Sequence, residues 1–232
     1  MSRSQVKSSK NGTLSRTAVL AGSTGLVGRE LLNQLLAQRE YSRVTVLGRS
    51  PPPREGGKIK FVATDFSNLD GLAADLAVSD VFCCLGTTLA KAGSDAAFER
   101  VDYHMVVDLA RAAKKAGAKK FLVVSAAGAS LKSPAFYPRL KARMEQAVSE
   151  IGFEATHILR PSLLLGARQE SRPAERLFQM LAPFYSPFLR GPLRRYRPVR
   201  AAMVAAAMVQ LALGNSAGTQ VHHLPLPAAA SR

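Results

Sequence analysis

Cysteine is scarce in this chain of 232 residues: there are two, Cys83 and Cys84, and they are adjacent. Without a third cysteine, the sequence can supply neither a disulfide framework nor a thiolate metal site. We therefore expect no metal centre. This use of cysteine is typical of a reducing compartment, so the sequence predicts a cytoplasmic protein.

Long apolar runs are also missing. No run reaches the roughly 18 apolar residues that a membrane-spanning helix needs, and the longest candidate, 201–214, is rich in alanine and interrupted by Gln210. It is more typical of a core helix, so we expect no transmembrane segment. Residues 1–15 contain no apolar stretch of the signal-peptide kind, and we expect them to form a disordered basic tail.

Acidic residues are few, and the chain carries a formal net charge of +16. Two segments without any acid, 1–16 and 186–200, hold four and five cations, which is nine of the sixteen. The segment Arg190 to Arg200 would suit an acidic protein partner or an anionic membrane surface. A solvated basic surface is the simpler interpretation. No spacing typical of a nucleic-acid-binding motif accompanies the charge, so we expect no specific nucleic acid partner.

The order of apolar and helical segments predicts the fold class. Short runs rich in Val, Ile, Leu and Phe alternate with longer helical patterns from "TAVLAG" to "ATHILRPSLLLG". This alternation favours an α/β protein with a doubly wound parallel sheet and helices on both faces. We expect a single domain over 16–232, in which 166–232 form a small extension on the substrate side with a helix from about Arg200.

The stretch "AGSTGLVG" places three glycines between the first apolar run and the first helical pattern. At this turn of a doubly wound sheet, a pyrophosphate can meet the N-terminus of a helix. Gly22 would allow a tight exit from the strand, Gly25 would let the backbone approach the phosphates, and Gly28 would let the helix pack closely. The sequence therefore predicts a dinucleotide site.

Arg49 bears on which dinucleotide binds. Selective NAD sites place an acid at the end of the second strand, whereas an arginine there accommodates the 2′-phosphate of NADP. The second run ends in Gly48, Arg49 and Ser50, which favours NADP(H) and leaves NAD(H) as the alternative. An ordinary loop arginine is the competing interpretation. Asp65, after the third run, could contact adenine or form a turn.

Three residues after the fifth run have the types that carbonyl reduction requires: Ser125, Tyr137 and Lys141. A phenol whose pKa is lowered by a neighbouring ammonium can donate a proton at neutral pH, and Ser125 would polarise the carbonyl. The spacing of four places Tyr137 and Lys141 on one helix face. Pro138 disfavours helical torsions at Tyr137, so we expect the helix to begin just after the tyrosine.

With these residues the chain resembles the atypical branch of the short-chain dehydrogenase/reductase superfamily, which has a Rossmann fold. "CCLGTT", "KAG", "VDYHMVVDLA" and "RQESRP" resemble its Tat-interacting protein subfamily. The resemblance implies that Tyr137 accepts or donates the proton with Lys141 as its partner. It implies NADPH binding by Thr24, Gly25, Leu26, Val27, Arg49, Leu85, Gly86, Leu164 and Arg172. The subfamily commonly has a second arginine where this chain has Ser50.

Two functional hypotheses follow from these observations. The first is an NADP(H)-dependent oxidoreductase that transfers hydride to or from a small carbonyl or alcohol. The second is an NADPH-binding sensor with little turnover that docks an acidic partner through Arg190 to Arg200. We expect Cys84 to be a small core residue, and we assign no function to His104, His222 or His223.

Overall fold

The computed structural model describes residues 15–54, 56–165 and 198–225. Its strands are β1 (Arg16–Ala21), β2 (Tyr41–Gly48), β3 (Ile59–Ala63), β4 (Asp80–Cys83), β5 (Lys120–Val124), β6 (Ala155–Arg160), β7 (Leu164–Leu165), β8 (Val199–Arg200) and β9 (Gly218–His223). The α-helices are α1 (Leu26–Ala37), α2 (Ala73–Leu76), α3 (Leu89–Ala92), α4 (Asp95–Glu99), α5 (Met105–Lys115), α6 (Phe136–Glu150) and α7 (Ala201–Leu213). A π-helical turn, Arg100–His104, joins α4 to α5.

Seven strands form one parallel sheet in the order β3-β2-β1-β4-β5-β6-β9, and β7 pairs with β8 separately. The central strands are buried on both sides, which explains their nearly continuous apolar sequences. Helices α1 and α7 cover one face, and α5 and α6 cover the other. The predicted fold class, a doubly wound parallel sheet with helices on both faces, is confirmed.

The C-terminal part of the described chain extends this sheet. Helix α7 begins at Ala201 and packs against α1, and β9 then pairs in parallel with β6. His222 on β9 has no obvious partner in the sequence. Its Nε2 lies 3.0 Å from Nδ1 of His157, which is buried on β6. Residues 218–223 therefore extend the sheet itself, because β9 is its last strand.

Several sequence-based expectations concern parts of the chain outside the described residues. These are the basic tail over residues 1–14, the motif "RQESRP" with Arg172, and the basic segment from Arg190 up to residue 197. Within the ranges that are described, no helix has both the length and the apolar character needed to cross a membrane.

Candidate functional site

The main candidate site is a cleft of about 310 Å³ at the carboxyl edge of the sheet. It lies where the strand order changes direction, between β1 and β4, which is the usual ligand position in a doubly wound sheet. Segments that follow β1, β4 and β5 converge here with α6. The residues that line it are Thr24, Gly25, Leu26, Val27, Arg29, Cys84, Leu85, Gly86, Thr87, Thr88, Lys91, Asp102, Val124, Ser125, Tyr137, Lys141 and Leu164.

The turn after β1 is packed too tightly for side chains at two of its glycines. Gly22 has a φ of 85°, and a Cβ on it would lie 2.5 Å from the carbonyl oxygen of Cys84. A Cβ on Gly28, inside α1, would lie 2.0 Å from the carbonyl oxygen of Gly22. Both contacts are with backbone atoms, which cannot rotate away. These two glycines therefore allow β1, β4 and the start of α1 to come together.

Gly25 is placed to face a ligand. It is the N-cap of α1 with φ −72° and ψ 169°, no side chain caps this end of the helix, and the first turn contains no acid. The first N–H groups of α1 consequently have no intrahelical acceptor and lie at the positive end of the helix dipole. Since Gly25, Leu26 and Val27 all line the cleft, the turn fits a pyrophosphate group.

Arg49 follows β2 and Asp65 follows β3 at the same carboxyl edge of the sheet, but neither residue lines the cleft. Arg49 is exposed just after the end of β2. The Asp65 carboxylate accepts hydrogen bonds from the N–H of Ser67 at 2.9 Å and from its hydroxyl at 2.6 Å, and these bonds lower its pKa. This geometry is that of a turn-forming aspartate, so adenine contact by Asp65 stays a prediction.

The first turn of α6 carries Tyr137, and the expectation that the helix begins after this residue is wrong. The helix begins at Phe136, and Pro138 is its third residue. In the first turn an N–H has no intrahelical acceptor, so the missing N–H of proline removes no hydrogen bond. Tyr137 and Lys141 therefore lie on one continuous helix and both line the cleft.

Lys141 has a buried partner that sequence reasoning missed. Its Nζ lies 2.7 Å from Oδ1 of Asp102, and the two side chains are 4% and 2% exposed. The other carboxylate oxygen of Asp102 accepts a hydrogen bond from the N–H of Thr87 at 2.8 Å. Asp102 stands in the π-helical turn, a feature that often accompanies functional sites. The motif "VDYHMVVDLA" contained this residue, but its spacing gave no sign of an ion pair.

This ion pair changes the electrostatics expected for Tyr137. Burial raises the pKa of Tyr137, the Lys141 ammonium opposes that effect, and Asp102 adds to it, so that the net pKa is above its ordinary value. Lys141 does lower the pKa of Tyr137 as expected, but burial of the phenol has the larger effect, even though 39% of the Tyr137 surface remains exposed. Burial lowers the pKa of Lys141, but the charge of Asp102, the charge of Tyr137 and the hydrogen bond to Asp102 together raise it by more, so the net pKa lies above its ordinary value and the ammonium is retained.

Ser125 is also engaged. Its hydroxyl donates to Oε1 of Glu145 at 2.5 Å, and Arg160 donates to both oxygens of the same carboxylate at 2.9 and 2.5 Å. The Ser125 hydroxyl hydrogen consequently points to Glu145. To polarise a substrate carbonyl, this hydrogen would have to point into the cleft instead. Glu145 was not among the predicted site residues, although it lies one helical turn after Lys141.

Cys84 lines the cleft and is half-buried. Burial raises the pKa of its thiol well above the ordinary value, and Cys83 adds to this effect. A thiol that stays protonated is a poor nucleophile and metal ligand. The described residues contain no group of three or more His, Cys, Asp or Glu side chains that could hold a metal ion.

The cleft thus combines a helix terminus that fits a phosphate with a phenol, an ammonium and a hydroxyl. Ten of the predicted site residues line it: Thr24, Gly25, Leu26, Val27, Leu85, Gly86, Ser125, Tyr137, Lys141 and Leu164. Gly22 and Gly28 do not line the cleft, but they allow the close packing of β1, β4 and α1 that shapes it. The fold and this cleft define a dinucleotide-binding protein of the Rossmann type.

Comparison with known proteins agrees with this class. Residues 22–169 match a family model described as NAD(P)H-binding. The protein Fmp52, mitochondrial, from Aspergillus clavatus is 38% identical over 172 residues, covering 71% of this chain and 74% of the relative. Protein HTATIP2 from Rattus norvegicus is 38% identical over 164 residues, covering 69% and 67%.

A solved structure shows the same fold. MoeE5 in complex with UDP-glucose and NAD superposes with a TM-score of 0.66 at 18% identity, covering 88% of this chain and 74% of that one. The chain belongs to the NAD(P)H-binding family, in the atypical short-chain dehydrogenase/reductase branch that includes HTATIP2 and Fmp52. The resemblance drawn from the sequence motifs is confirmed.

Proposed function

We propose that this protein is an NADP(H)-dependent oxidoreductase that acts on a small carbonyl or alcohol. The observation that carries the proposal is the convergence of Tyr137, Lys141 and Ser125 on the cleft that also contains the Gly25 turn. We further propose that residues 16–232 are one domain, with 166–232 as a substrate-side extension, and that the protein is cytoplasmic. The fungal relative is named mitochondrial, so location needs its own measurement.

Each part of the cleft has a role in this proposal. The bound nicotinamide would supply or accept hydride. The N–H groups at the start of α1 hold the pyrophosphate, and Arg49, just beyond the end of β2, pairs with the 2′-phosphate. Tyr137 donates a proton to the substrate oxygen in reduction, while Lys141 lies beside it on α6. Leu85, Gly86, Leu164 and Arg172 would complete the dinucleotide contacts, Arg172 lying outside the described residues.

The first prediction concerns Arg49. Arg49→Ala is expected to weaken NADPH binding by about tenfold or more, because a 2′-phosphate loses a charge-assisted contact, and to leave NADH binding unchanged. Fluorescence titration with both dinucleotides measures this. Arg39→Ala is the matched control, since Arg39 is an exposed arginine beyond the C-terminal end of α1, at the opposite edge of the sheet. An NADPH affinity that falls no further in Arg49→Ala than in Arg39→Ala would contradict the 2′-phosphate assignment.

The second prediction concerns Tyr137. Tyr137→Phe removes the phenolic proton, so we expect turnover of carbonyl compounds to fall by about 100-fold or more while NADPH affinity changes little. A survey of small carbonyl compounds with NADPH oxidation as readout measures this. Tyr103→Phe is the control, because Tyr103 contacts His104 and Arg143 and does not line the cleft. If both variants turn over substrate like the wild type, Tyr137 is not the acid.

A second candidate function is an NADPH sensor with little turnover, and one observation favours it. Lys141 and Ser125 are both already engaged by carboxylates, those of Asp102 and Glu145. In this candidate the basic segment Arg190 to Arg200 docks an acidic partner, although residues up to 197 lie outside the described part. NADPH binding without turnover on any compound supports the sensor. Neutralising those arginines should then abolish the partner contact and preserve NADPH affinity.

A further inference from the structure

We propose that His157 and His222 form an acid-sensitive contact that holds β9, the last strand of the sheet, in place while both rings are neutral and releases it when the rings bind protons. We call these two residues the histidine pair. Neither of them lines the cleft, so the inference is independent of the proposed oxidoreductase function. It gives a role to His222, for which the sequence indicated none.

The histidine pair joins the last two strands of the sheet. Nδ1 of His157 on β6 lies 3.0 Å from Nε2 of His222 on β9. The other ring nitrogen of His157, Nε2, lies 2.8 Å from the hydroxyl oxygen of Ser216, in the turn that leads from α7 to β9. One buried ring therefore contacts both β9 and the turn that precedes it.

The contact between the two rings has room for one hydrogen. A neutral imidazole has one N–H donor and one acceptor nitrogen, so two facing ring nitrogens form a hydrogen bond when one of them donates and the other accepts. When both rings are protonated, both facing nitrogens carry a hydrogen and neither can accept. The hydrogen bond is then lost, two like charges lie in contact, and the rings must separate.

Strand β9 depends on this contact because few of its side chains are buried. Gln220 and His222 are half-buried, and the other four residues of the strand are exposed. An edge strand of this kind belongs to the least stable part of a sheet and opens more readily than the central strands. Separation of the histidine pair therefore weakens the attachment of β9 to β6, which the backbone ladder must then maintain.

Burial opposes even the first proton. His157 is 0% exposed and shares a face of β6 with Leu159, which belongs to the core beneath α7. A charge on this ring would have no water around it. Burial is the main cause that lowers the pKa of His157 to about 4, and burial also lowers the pKa of His222. Both rings are therefore neutral at pH 7, and the contact is intact.

A cation faces the histidine pair from β5. Lys120 donates to the carbonyl oxygen of Ala212 at 2.8 Å, which fixes its ammonium at the C-terminal end of α7. Its charge lowers the pKa of His157 further. Arg16 on β1 donates to the same carbonyl oxygen, but Asp80 balances its charge. A proton on the pair therefore adds a second positive charge beside Lys120.

The other elements around the pair do not offset this repulsion. Helix α7 and the turn 214–217 contain no ionisable side chain. The alternation of β9 places His223 on the opposite face of the sheet, beside Arg160. Glu154, exposed just before β6, lies 3.9 Å from Lys119. Acid therefore acts on the histidine pair without a nearby carboxylate on these elements to hold the added protons.

The released strand binds protons more readily than the attached one. A histidine in water has a pKa of about 6.5, whereas that of His157 in the sheet is about 4. The stabilisation from the neutral ring is therefore complete above pH 6.5 and is lost as the pH falls toward 4. Between pH 7 and pH 5, His157 alone increases the ratio of released to attached strand by about 20-fold.

Hydrogen exchange of the backbone amides tests the proposal without cofactor or substrate. Protection factors are measured at pH 7 and pH 5 for residues 218–223 of β9 and residues 120–124 of β5. In the wild type we expect the protection of β9 to fall by about 20-fold or more and to lie below that of β5 at pH 5. Unchanged protection of β9 overturns the proposal. So does equal protection of the two strands at pH 5, because acid would then unfold the whole protein.

Glutamine variants assign the effect to the histidine pair. Glutamine can donate and accept hydrogen bonds but does not titrate, so we expect the fall in β9 protection to be less than about threefold in His157→Gln/His222→Gln. His104→Gln is the matched control, since His104 is exposed in the π-helical turn, and it should behave like the wild type. A fall as large as that of the wild type in the double variant overturns the proposal.

A single variant keeps the proposal testable if the double variant does not fold, with circular dichroism as the check on folding. His222→Gln changes only the half-buried ring at the sheet edge. We expect a fall in β9 protection smaller than that of the wild type, because one of the two titrating rings is gone. A fall equal to that of the wild type contradicts the role of the pair.

Discussion

Gly28→Ala is expected to abolish NADPH binding and to lower the free energy of unfolding by about 3 kcal/mol, because it overpacks a site where nothing can rotate away. The added Cβ would lie 2.0 Å from the Gly22 carbonyl oxygen and 3.0 Å from the Cα of Ser23. To relieve this contact, α1 has to move away from the turn after β1. The N–H groups that are to hold the pyrophosphate then move with the helix.

Alanine substitutions at two further glycines provide comparisons for Gly28→Ala. A Cβ on Gly71 meets nothing within 4 Å, so Gly71→Ala is expected to leave stability and binding unchanged. A Cβ on Gly25 would lie 3.3 Å from the Gly22 carbonyl oxygen, a tight but adjustable contact, so Gly25→Ala should affect binding more than stability. Urea unfolding and fluorescence titration of NADPH measure both quantities. Retained NADPH binding in Gly28→Ala would contradict the role assigned to the turn.

Much of the fold could be predicted because parallel strands covered on both faces have a distinctive sequence pattern. Within the runs "TAVLAG" and "DVFCCLG", residues 18–21 and 80–83 are fully buried. Strand β9 has no such pattern, since it lies at the sheet edge and only Gln220 and His222 are half-buried. A short strand with exposed polar side chains cannot be distinguished from a loop without knowledge of its partner, β6.

The site could be predicted only in part, because some of its contacts join residues that are far apart in the sequence. The Gly25 turn and the Tyr137 and Lys141 pair are local patterns, fixed by spacing along one or two elements. The Asp102–Lys141 and Ser125–Glu145 contacts join residues 39 and 20 positions apart. Helical periodicity places Glu145 on the face of α6 that carries Lys141, but it cannot show that Ser125 lies opposite. The charge state of the cleft depends on these longer-range pairs.

The carboxyl and amino edges of the sheet have different roles. At the carboxyl edge, β1 and β4 end in the Gly22 turn and in Cys84, and their close approach shapes the cleft. At the amino edge, the first residue of β4, Asp80, is fully buried and contacts both Arg16 of β1 and Tyr41 of β2. A charge network at this edge can therefore stabilise the sheet without touching the site.

Asp80→Asn is accordingly expected to lower the free energy of unfolding by about 3 kcal/mol, the lower end of the range for breaking a buried ion pair, since the Arg16 side chain retains 26% exposure. The Asp80 carboxylate accepts from Arg16 Nε at 2.9 Å and Nη2 at 2.6 Å and from the Tyr41 hydroxyl at 2.8 Å. Asparagine keeps the shape but leaves Arg16 without a counter-charge. Urea unfolding at neutral pH measures the loss.

The control for Asp80 is Asp75, whose carboxylate pairs with the half-exposed side chain of Lys60 at the surface. Asp75→Asn is expected to change the free energy of unfolding by less than about 1 kcal/mol, because water screens surface ion pairs. Since Asp80 lies at the edge opposite the cleft, folded Asp80→Asn protein should bind NADPH with wild-type affinity. Weakened binding in fully folded protein would mean that the amino edge positions the Gly25 turn through β1, and the separation of the two edges would be wrong.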